Sequence, residues 1–184
     1  MSERKKSNLN LLLPLIALAT ILLIIGLSEA QTKPFGTDED VSFANSLWDA
    51  MDDYTEWPMH TNFYEGRSPH GAFLRTYYSM LTVDDAPFHV IVKDNYGGSD
   101  ATMKSVAESP EEHLMSVTVM VQREWGYDPE NNNWFWVKYA PDGSIVKNDQ
   151  GVALAGRVAK GSDQGCIACH ASAKDNDYMF INDR

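Results

Sequence analysis

The stretch "WFWVKYAPDGSIV", residues 134–146, gives the clearest indication of the fold class. It opens on a dense aromatic run, residues 134–139, and continues through a Pro-Asp-Gly sequence, which favours a tight turn, into a second apolar run. No helix of crossover length fits between Trp134 and Ile145, so the two runs must pair antiparallel. The stretch therefore predicts a hairpin with a short closing strand.

Segments upstream of this hairpin predict further strands and one helix. The strand segments are rich in aromatic and β-branched residues or alternate apolar with polar side chains, and they comprise residues 72–80, 88–93 and 115–122. Apolar residues instead recur at helical spacing over residues 38–54, with Thr37 as the expected N-cap. We therefore expect an α+β fold, mostly an antiparallel β-sheet of four to five strands with flanking helices. Residues 101–113 fit neither period, because Pro110 would interrupt a helix there.

The N-terminal residues 1–30 differ in kind from the rest. Three basic residues precede an uncharged apolar run over residues 11–27, and small residues follow at positions 28 and 30. This pattern predicts a signal peptide that is cleaved after Ala30, or a membrane anchor through residues 9–27 if it is retained. Residues 31–36 would be a linker and residues 37–184 the folded domain. We expect a periplasmic or other extracytoplasmic location.

The composition limits the class of partner. With 184 residues, 43% of them hydrophobic, the chain is long enough to bury a core. A formal net charge of −11 gives no basic surface that would follow a phosphate backbone, so we expect no nucleic-acid partner. The same acidity favours a basic redox partner if the protein exchanges electrons with another protein.

The only two cysteines lie in "GCIACH", residues 165–170, near the C-terminus. A thioredoxin-like dithiol would need most of the domain to follow this motif, whereas only fourteen residues follow His170. A structural zinc site needs four ligands, so His89 or His113 would have to complete the three that the motif supplies. A disulfide across so short a loop would stabilise little.

Covalent attachment of haem accounts for the three residue types and their order. The thiols of Cys166 and Cys169 would add to the two vinyl groups, and His170 would bind the iron. Such proteins are assembled outside the cytoplasm, which agrees with the expected export. The motif therefore predicts one haem c attached through Cys166 and Cys169, with His170 as the metal ligand.

The other axial position of the iron stays open at the level of sequence. Electron-transfer cytochromes place a Met or a second His there. Each candidate also has an ordinary role in the core or at the surface, and the candidates are Met51, Met59, Met80, Met103, Met115, Met120, His60, His70, His89 and His113. His60 and His70 are also candidate donors to the haem propionates.

Five segments, in this order, resemble the cytochrome P-460 family, which includes the beta-type cytochromes c′. The resemblance extends from about Trp48 to Phe180, and residues 101–112 depart from it as an insertion. The segments are "EWPMHTNFYEGRSPHGAFLRTYY" (56–78), "IVKDNYG" (91–97), "VTVM" (117–120), "GYDPENNNWFWVKYAPDGSIV" (126–146) and "GCIACHASAKDNDYMF" (165–180).

The resemblance implies an antiparallel sheet with helices at its ends, a monohaem c centre with five-coordinate iron and an open distal face, and a homodimer. Two activities are known in the family. The P-460 enzymes oxidise hydroxylamine and carry a lysine bonded covalently to the haem. The beta-type cytochromes c′ lack that bond and bind nitric oxide.

Two further residues gain candidate roles from the resemblance. Lys93 aligns with the cross-linking lysine, and alternation places it on the strand face of Ile91, where desolvation would favour the nucleophilic amine. Arg75 aligns with an arginine of the distal pocket and would hold a polar or anionic ligand. Each also has an ordinary reading, as a solvent-facing lysine at a strand end and as an arginine paired with a surface carboxylate.

Three functions follow from these observations. The favoured one is an exported haem c protein that binds nitric oxide or a related small nitrogen oxide and takes part in redox chemistry. The first alternative is a hydroxylamine-oxidising enzyme with Lys93 and Arg75 as catalytic residues and a Lys93–haem cross-link. The second is a simple electron-transfer cytochrome with Met or His as sixth ligand.

Overall fold

A computed structural model describes residues 34–180. The expected signal peptide or anchor, residues 1–30, and most of the expected linker, residues 31–36, lie outside the described residues. Within residues 34–180, no helix has the length and apolar character needed to cross a membrane.

An antiparallel sheet forms the centre of the described fold, and its strands pair in chain order. It confirms the α+β class, with six strands in residues 34–180 where the sequence predicts four to five. The strands are β1 (Tyr64–Glu65), β2 (Phe73–Val83), β3 (Ala86–Tyr96), β4 (Leu114–Gln122), β5 (Trp134–Tyr139) and β6 (Ala155–Gly156).

The four long strands, β2 to β5, lie where the sequence predicts them. The closing strand expected in residues 140–146 is reduced to a single antiparallel bridge between Tyr139 and Ile145. The additional strands β1 and β6 have two residues each, which is too short for any periodicity to reveal them.

Helix α1 (Asp38–Ala50) begins at the predicted N-cap. The Thr37 hydroxyl accepts a hydrogen bond from the Asp40 amide at 3.1 Å, and the Asp40 carboxylate accepts one from the Thr37 amide at 3.1 Å. The helix ends before the predicted residue 54, because Asp53 adopts a left-handed conformation with φ 54°. Residues 101–113 hold α2 (Met103–Glu108) and α3 (Pro110–His113), separated at Ser109.

The sheet has two differently covered faces. Val90 and Val92 of β3 point to the face covered by α1, here called the α1 face, where Leu47 is fully buried. Alternation puts Ile91 and Lys93 on the opposite face. There Trp136 packs with Ile167 of helix α4 (Cys166–His170), so we call it the motif face. The Cys-x-x-Cys-His sequence thus lies on the sheet face opposite α1.

Candidate functional site

Helix α4 brings the two cysteines and the histidine of the motif to one side. Cys166, Cys169 and His170 stand at positions i, i+3 and i+4, which share one helix face. Neither cysteine forms a disulfide. Burial raises the pKa of the Cys166 thiol to about 11, and the nearby Lys138 ammonium only partly opposes this. Cys166 is therefore a protonated thiol at neutral pH.

The His170 ring is held in one orientation. It is 7% exposed, and its Nδ1 lies 2.6 Å from the carbonyl oxygen of Tyr178. A carbonyl can only accept, so Nδ1 carries a proton, and in the neutral ring Nε2 carries the lone pair, which is the tautomer that a metal ligand requires. The Trp136 and Phe180 rings pack against the imidazole at centroid distances of 4.7 and 5.2 Å.

A cavity of about 240 Å³ opens between α4 and the motif face. Cys166, Cys169 and His170 all line it, and most of its remaining wall is apolar. The Trp136 indole contributes to this wall, and its Nε1 is buried without a hydrogen-bond partner among residues 34–180. Because buried donors are nearly always paired, this atom suits a ligand that carries acceptors. Two thiols, an oriented imidazole and an apolar wall fit a haem group.

Lys93 also reaches this cavity. It faces Thr118 across the β3–β4 pairing, and Thr118 faces Lys138 across the β4–β5 pairing. All three line the cavity, so two ammonium groups flank a hydroxyl along one row of the sheet. Lys93 therefore lies beside the same cavity as the cysteines, as the sequence predicts for a residue that faces inward.

His70 enters the cavity from the loop before β2. Its Nδ1 lies 2.8 Å from the Asn95 side-chain oxygen, and its ring centroid is 6.1 Å from that of His170, with the two planes at 79°. Asn95 is 2% exposed. The sequence could not separate His70 from His60, the other candidate propionate donor, because its partner Asn95 is far along the chain and becomes its neighbour only in the folded sheet.

The remaining candidates for a sixth iron ligand separate by position. Of the six candidate methionines, all of which lie within residues 34–180, only Met120 lines the cavity. Met51 is buried in the core of the α1 face, and the other four, Met59, Met80, Met103 and Met115, are exposed. Of the histidines in the described residues, only His70 and His170 line the cavity. The fold thus reduces the set to His70 and Met120.

Arg75 is not brought together with Lys93. It pairs with Asp94 in the β2–β3 register, whereas Lys93 pairs with Thr76, so Arg75 and Lys93 point to opposite faces. The Arg75 guanidinium donates to the Thr61 carbonyl at 3.3 Å and lies over the rings of Phe63 and Tyr77. Its role in the distal pocket stays a prediction from the resemblance.

No cluster of three or more His, Cys, Asp or Glu side chains within residues 34–180 is placed to hold a metal ion by itself. The cavity between α4 and the sheet is lined mainly by apolar side chains, together with the two thiols and the imidazole of the motif. Three further residues shape the surroundings of the cavity: Trp136, Asn95 and Tyr178. Their contributions are a buried N–H, an amide oxygen and a backbone carbonyl, which leave no motif.

Comparison with known proteins agrees with this site. The family model described as Cytochrome P460 matches residues 86–181, slightly more than half of the chain. The matched part runs from β3 through the Cys-x-x-Cys-His helix. No curated protein and no solved structure matches the chain. The chain belongs to the cytochrome P460 family and is a haem-binding cytochrome.

Proposed function

We propose that this protein is a monohaem c-type cytochrome whose haem is bonded to Cys166 and Cys169 and whose iron is bound by His170. Each thiol adds across one vinyl double bond, with sulfur bonding to one carbon and hydrogen to the other, so nothing is oxidised and no atom is lost. The observation that carries the proposal is the lining of one apolar cavity by both thiols and by an imidazole whose tautomer presents Nε2.

We further propose that the iron binds nitric oxide or a related small nitrogen oxide on the side opposite His170. When bound, haem supplies an iron centre that changes oxidation state and takes small axial ligands. The chain contributes the apolar wall, which excludes water, and the Trp136 N–H, which is available to an acceptor on the group in the cavity. Membership of the family supports this function.

Mass spectrometry and spectroscopy of protein made in cells with a cytochrome c maturation system test both statements. We expect the intact mass to increase by one haem, the pigment to resist acidified acetone, and the ferrous spectrum to change on addition of nitric oxide. Cys166→Ser and Cys169→Ser should each leave one bond and a shifted spectrum. Colourless protein, or pigment that acetone extracts, would refute the attachment. A spectrum that nitric oxide leaves unchanged would refute the ligand.

A hydroxylamine-oxidising enzyme is the second candidate, and the position of Lys93 on the cavity wall favours it. In this proposal Lys93 is bonded to the haem edge, and Arg75 is carried over from the resemblance as the group that positions the substrate. Proteolysis decides the first part. A haem peptide that contains both Cys166 and Lys93 supports the cross-link, and a haem peptide without Lys93 removes this candidate. Because Arg75 and Lys93 point to opposite faces of the sheet, the structure supports the role of Arg75 less well than that of Lys93.

Location and assembly are proposals that follow from the sequence. We propose export to the periplasm or another extracytoplasmic compartment, either with cleavage after Ala30 or with residues 9–27 kept as an anchor, and assembly as a homodimer. A basic redox partner would complement the net charge of −11. Cell fractionation with N-terminal sequencing tests export, and light scattering tests the dimer. A mature chain that retains Met1 and stays in the cytoplasm would contradict export.

A further inference from the structure

Two histidine rings, from distant parts of the chain, line the same cavity. His170 comes from the C-terminal motif, and His70 from the loop before β2. Only one of them is explained by haem attachment. The His70 ring is also held by a hydrogen bond, to Asn95, and its position beside His170 indicates a role other than packing.

The hydrogen bonds of Asn95 fix the proton on the His70 ring. The Asn95 side-chain nitrogen lies 2.9 Å from the Lys93 carbonyl, 3.1 Å from the Ser116 carbonyl and 3.1 Å from the Thr118 hydroxyl, so this atom is the amide donor. Its oxygen therefore faces His70 Nδ1 at 2.8 Å as an acceptor. Nδ1 therefore carries a proton, and in the neutral ring Nε2 carries the lone pair.

His170 has the same arrangement. Its Nδ1 donates to a carbonyl oxygen at 2.6 Å, so in the neutral ring its Nε2 also carries a lone pair. An acceptor on Nδ1 that sets the tautomer and orients the ring is the usual support of a metal-binding histidine. Both rings thus have the protonation and support expected of an iron ligand.

The separation of the rings suits a shared metal ion. Two imidazoles that bind one metal from opposite sides through Nε2 have centroids about 6 Å apart, since each metal–nitrogen bond is about 2 Å long. The observed centroid distance is 6.1 Å, with the planes at 79°. Both rings line the cavity into which Cys166 and Cys169 also open.

The loop that carries His70 is tightly fixed. A side-chain carbon on Gly71 would lie 2.4 Å from the Tyr96 carbonyl oxygen, so the loop can approach β3 only with glycine there. The Gly71 amide points to the Asn95 oxygen at 3.4 Å, and the His70 amide donates to the Arg67 carbonyl at 2.8 Å. The ring is thereby presented by a rigid support, as an axial ligand requires.

We propose that His70 binds the haem iron through Nε2, opposite His170, in the resting protein. The proposal rests on the haem attachment proposed above. It replaces the five-coordinate resting state implied by the family resemblance with a six-coordinate one. Nitric oxide or another small ligand then reaches the iron only when His70 dissociates, so His70 sets the affinity for that ligand.

Spectroscopy of the haem-loaded protein tests the role of His70. The wild type should be low-spin in both oxidation states, and His70→Gly should be high-spin and return to low-spin when imidazole is added. Met120→Leu is the matched control, because Met120 is the other candidate ligand on the cavity wall, and it should stay low-spin. His60→Ala changes a histidine outside the cavity and should also have no effect.

Ligand kinetics give a second measurement on the wild type, which does not depend on a variant that folds. The observed rate of binding of carbon monoxide to the ferrous protein should level off as its concentration rises, because dissociation of His70 becomes limiting. His70→Gly should bind the ligand about 10- to 1,000-fold more tightly, for an open form populated at about 0.1–10% in the wild type.

The outcomes separate this inference from the proposed function. Protein without covalent haem refutes the attachment at Cys166 and Cys169, and the inference with it. Protein that carries covalent haem but is high-spin as isolated refutes the His70 ligand alone. Low-spin His70→Gly, or high-spin Met120→Leu, refutes it as well, as does a binding rate that rises linearly with ligand concentration in the wild type.

Discussion

The Nδ1 atom of His170 lies 2.6 Å from the carbonyl oxygen of Tyr178, eight residues further along the chain. Tyr178 is itself held in place, because its hydroxyl donates to the Glu130 carbonyl at 3.0 Å. The preceding Asp177 accepts hydrogen bonds from Asn132 and Trp134. The orientation of the imidazole therefore depends on a contact between the C-terminal segment and the loop before β5.

Tyr178 offers two substitutions with different consequences. Tyr178→Phe removes one hydrogen bond and should lower the free energy of unfolding by about 0.5–1.5 kcal/mol, without moving the carbonyl that faces His170. Tyr178→Ala also removes a buried ring and should loosen that carbonyl. If His170 binds the iron as proposed, a weaker acceptor on Nδ1 makes its imidazole a poorer electron donor to iron, so the reduction potential should rise in Tyr178→Ala and stay unchanged in Tyr178→Phe.

Urea unfolding and a redox titration of the haem-loaded variants check these expectations. Equal shifts of potential in Tyr178→Phe and Tyr178→Ala would show that the carbonyl contact does not control the iron.

An ion pair with a buried carboxylate, between Lys160 and Asp128, stabilises the loop before β5. Lys160 Nζ lies 2.5 Å from a carboxylate oxygen of Asp128, whose side chain is fully buried, and the other oxygen accepts from the Asn131 amide at 2.8 Å. Lys160→Met should lower the free energy of unfolding by about 1–3 kcal/mol or more, because it leaves a buried carboxylate oxygen unpaired. Thermal or urea unfolding measures the loss.

Lys104 provides the control for Lys160. It pairs with Glu108 at 3.8 Å on an exposed helix surface, so Lys104→Met should change the free energy of unfolding by less than about 0.5 kcal/mol. Similar losses in both variants would mean that burial of Asp128 adds nothing to the pair.

Gly143, in the turn of residues 140–146, should tolerate alanine less well than Gly151, which lies outside that turn. Gly143 and Gly151 both have positive φ, +85° and +76°, so alanine at either should cost about 1–2 kcal/mol. A side-chain carbon at Gly143 would also lie 2.4 Å from the Trp48 ring, whereas Gly151 has nothing within 4 Å. Gly143→Ala should therefore lose about 1–3 kcal/mol more than Gly151→Ala. Equal unfolding midpoints for the two variants would contradict the contact between the turn and α1.

The sequence predicted those secondary-structure elements that have a periodic or local sequence pattern. Strand β5 coincides with the aromatic run 134–139, and α1 begins directly after its predicted N-cap Thr37, because alternation and capping are local properties. The end of α1 was wrong, because a left-handed Asp53 has no clear local signal. Strands β1 and β6 exist only through pairing with longer neighbours.

The candidate site divides in the same way. The three motif residues of α4 are adjacent in the chain and could be named directly. The approach of His70 to His170 depends on a loop, a buried amide and the order of the strands, so the sequence left His70 as one of ten candidates for the sixth ligand. Strand register also separates Arg75 from Lys93, which an alignment of segments could not reveal.

The α1 face holds a buried carboxylate that predicts a pH dependence of stability. Asp94 is 1% exposed, and its two oxygens accept from the hydroxyls of Tyr54 and Tyr96, each at 2.7 Å. Burial raises the pKa of Asp94 above 3.8, although these hydrogen bonds and the charge of Arg75 lower it in part. The same burial and the Asp94 charge raise the pKa of both tyrosines, so they stay protonated donors.

The sign follows from proton linkage. Just above pH 3.8 the folded protein keeps a proton on Asp94 that the unfolded chain has released, so unfolding releases this proton and stability falls as pH rises through this window. Below it both states are protonated, and above the folded pKa both are ionised. Asp94→Asn lacks this group. The stability of wild type minus that of Asp94→Asn should therefore decline as pH rises from 3.8 and then become constant.

Tyr54→Phe tests the hydrogen bonds to Asp94 by extending this window. Loss of a donor leaves one carboxylate oxygen unpaired, so the pKa of Asp94 should rise further and the decline should continue to higher pH. At neutral pH the variant should also lose about 1–3 kcal/mol of stability. Tyr78→Phe is the control, because Tyr78 lies on the motif face and only burial raises its pKa. Urea unfolding from pH 3 to 8 measures all four proteins, and a Tyr54→Phe curve parallel to wild type would mean that the Tyr54 hydroxyl does not stabilise the ionised carboxylate.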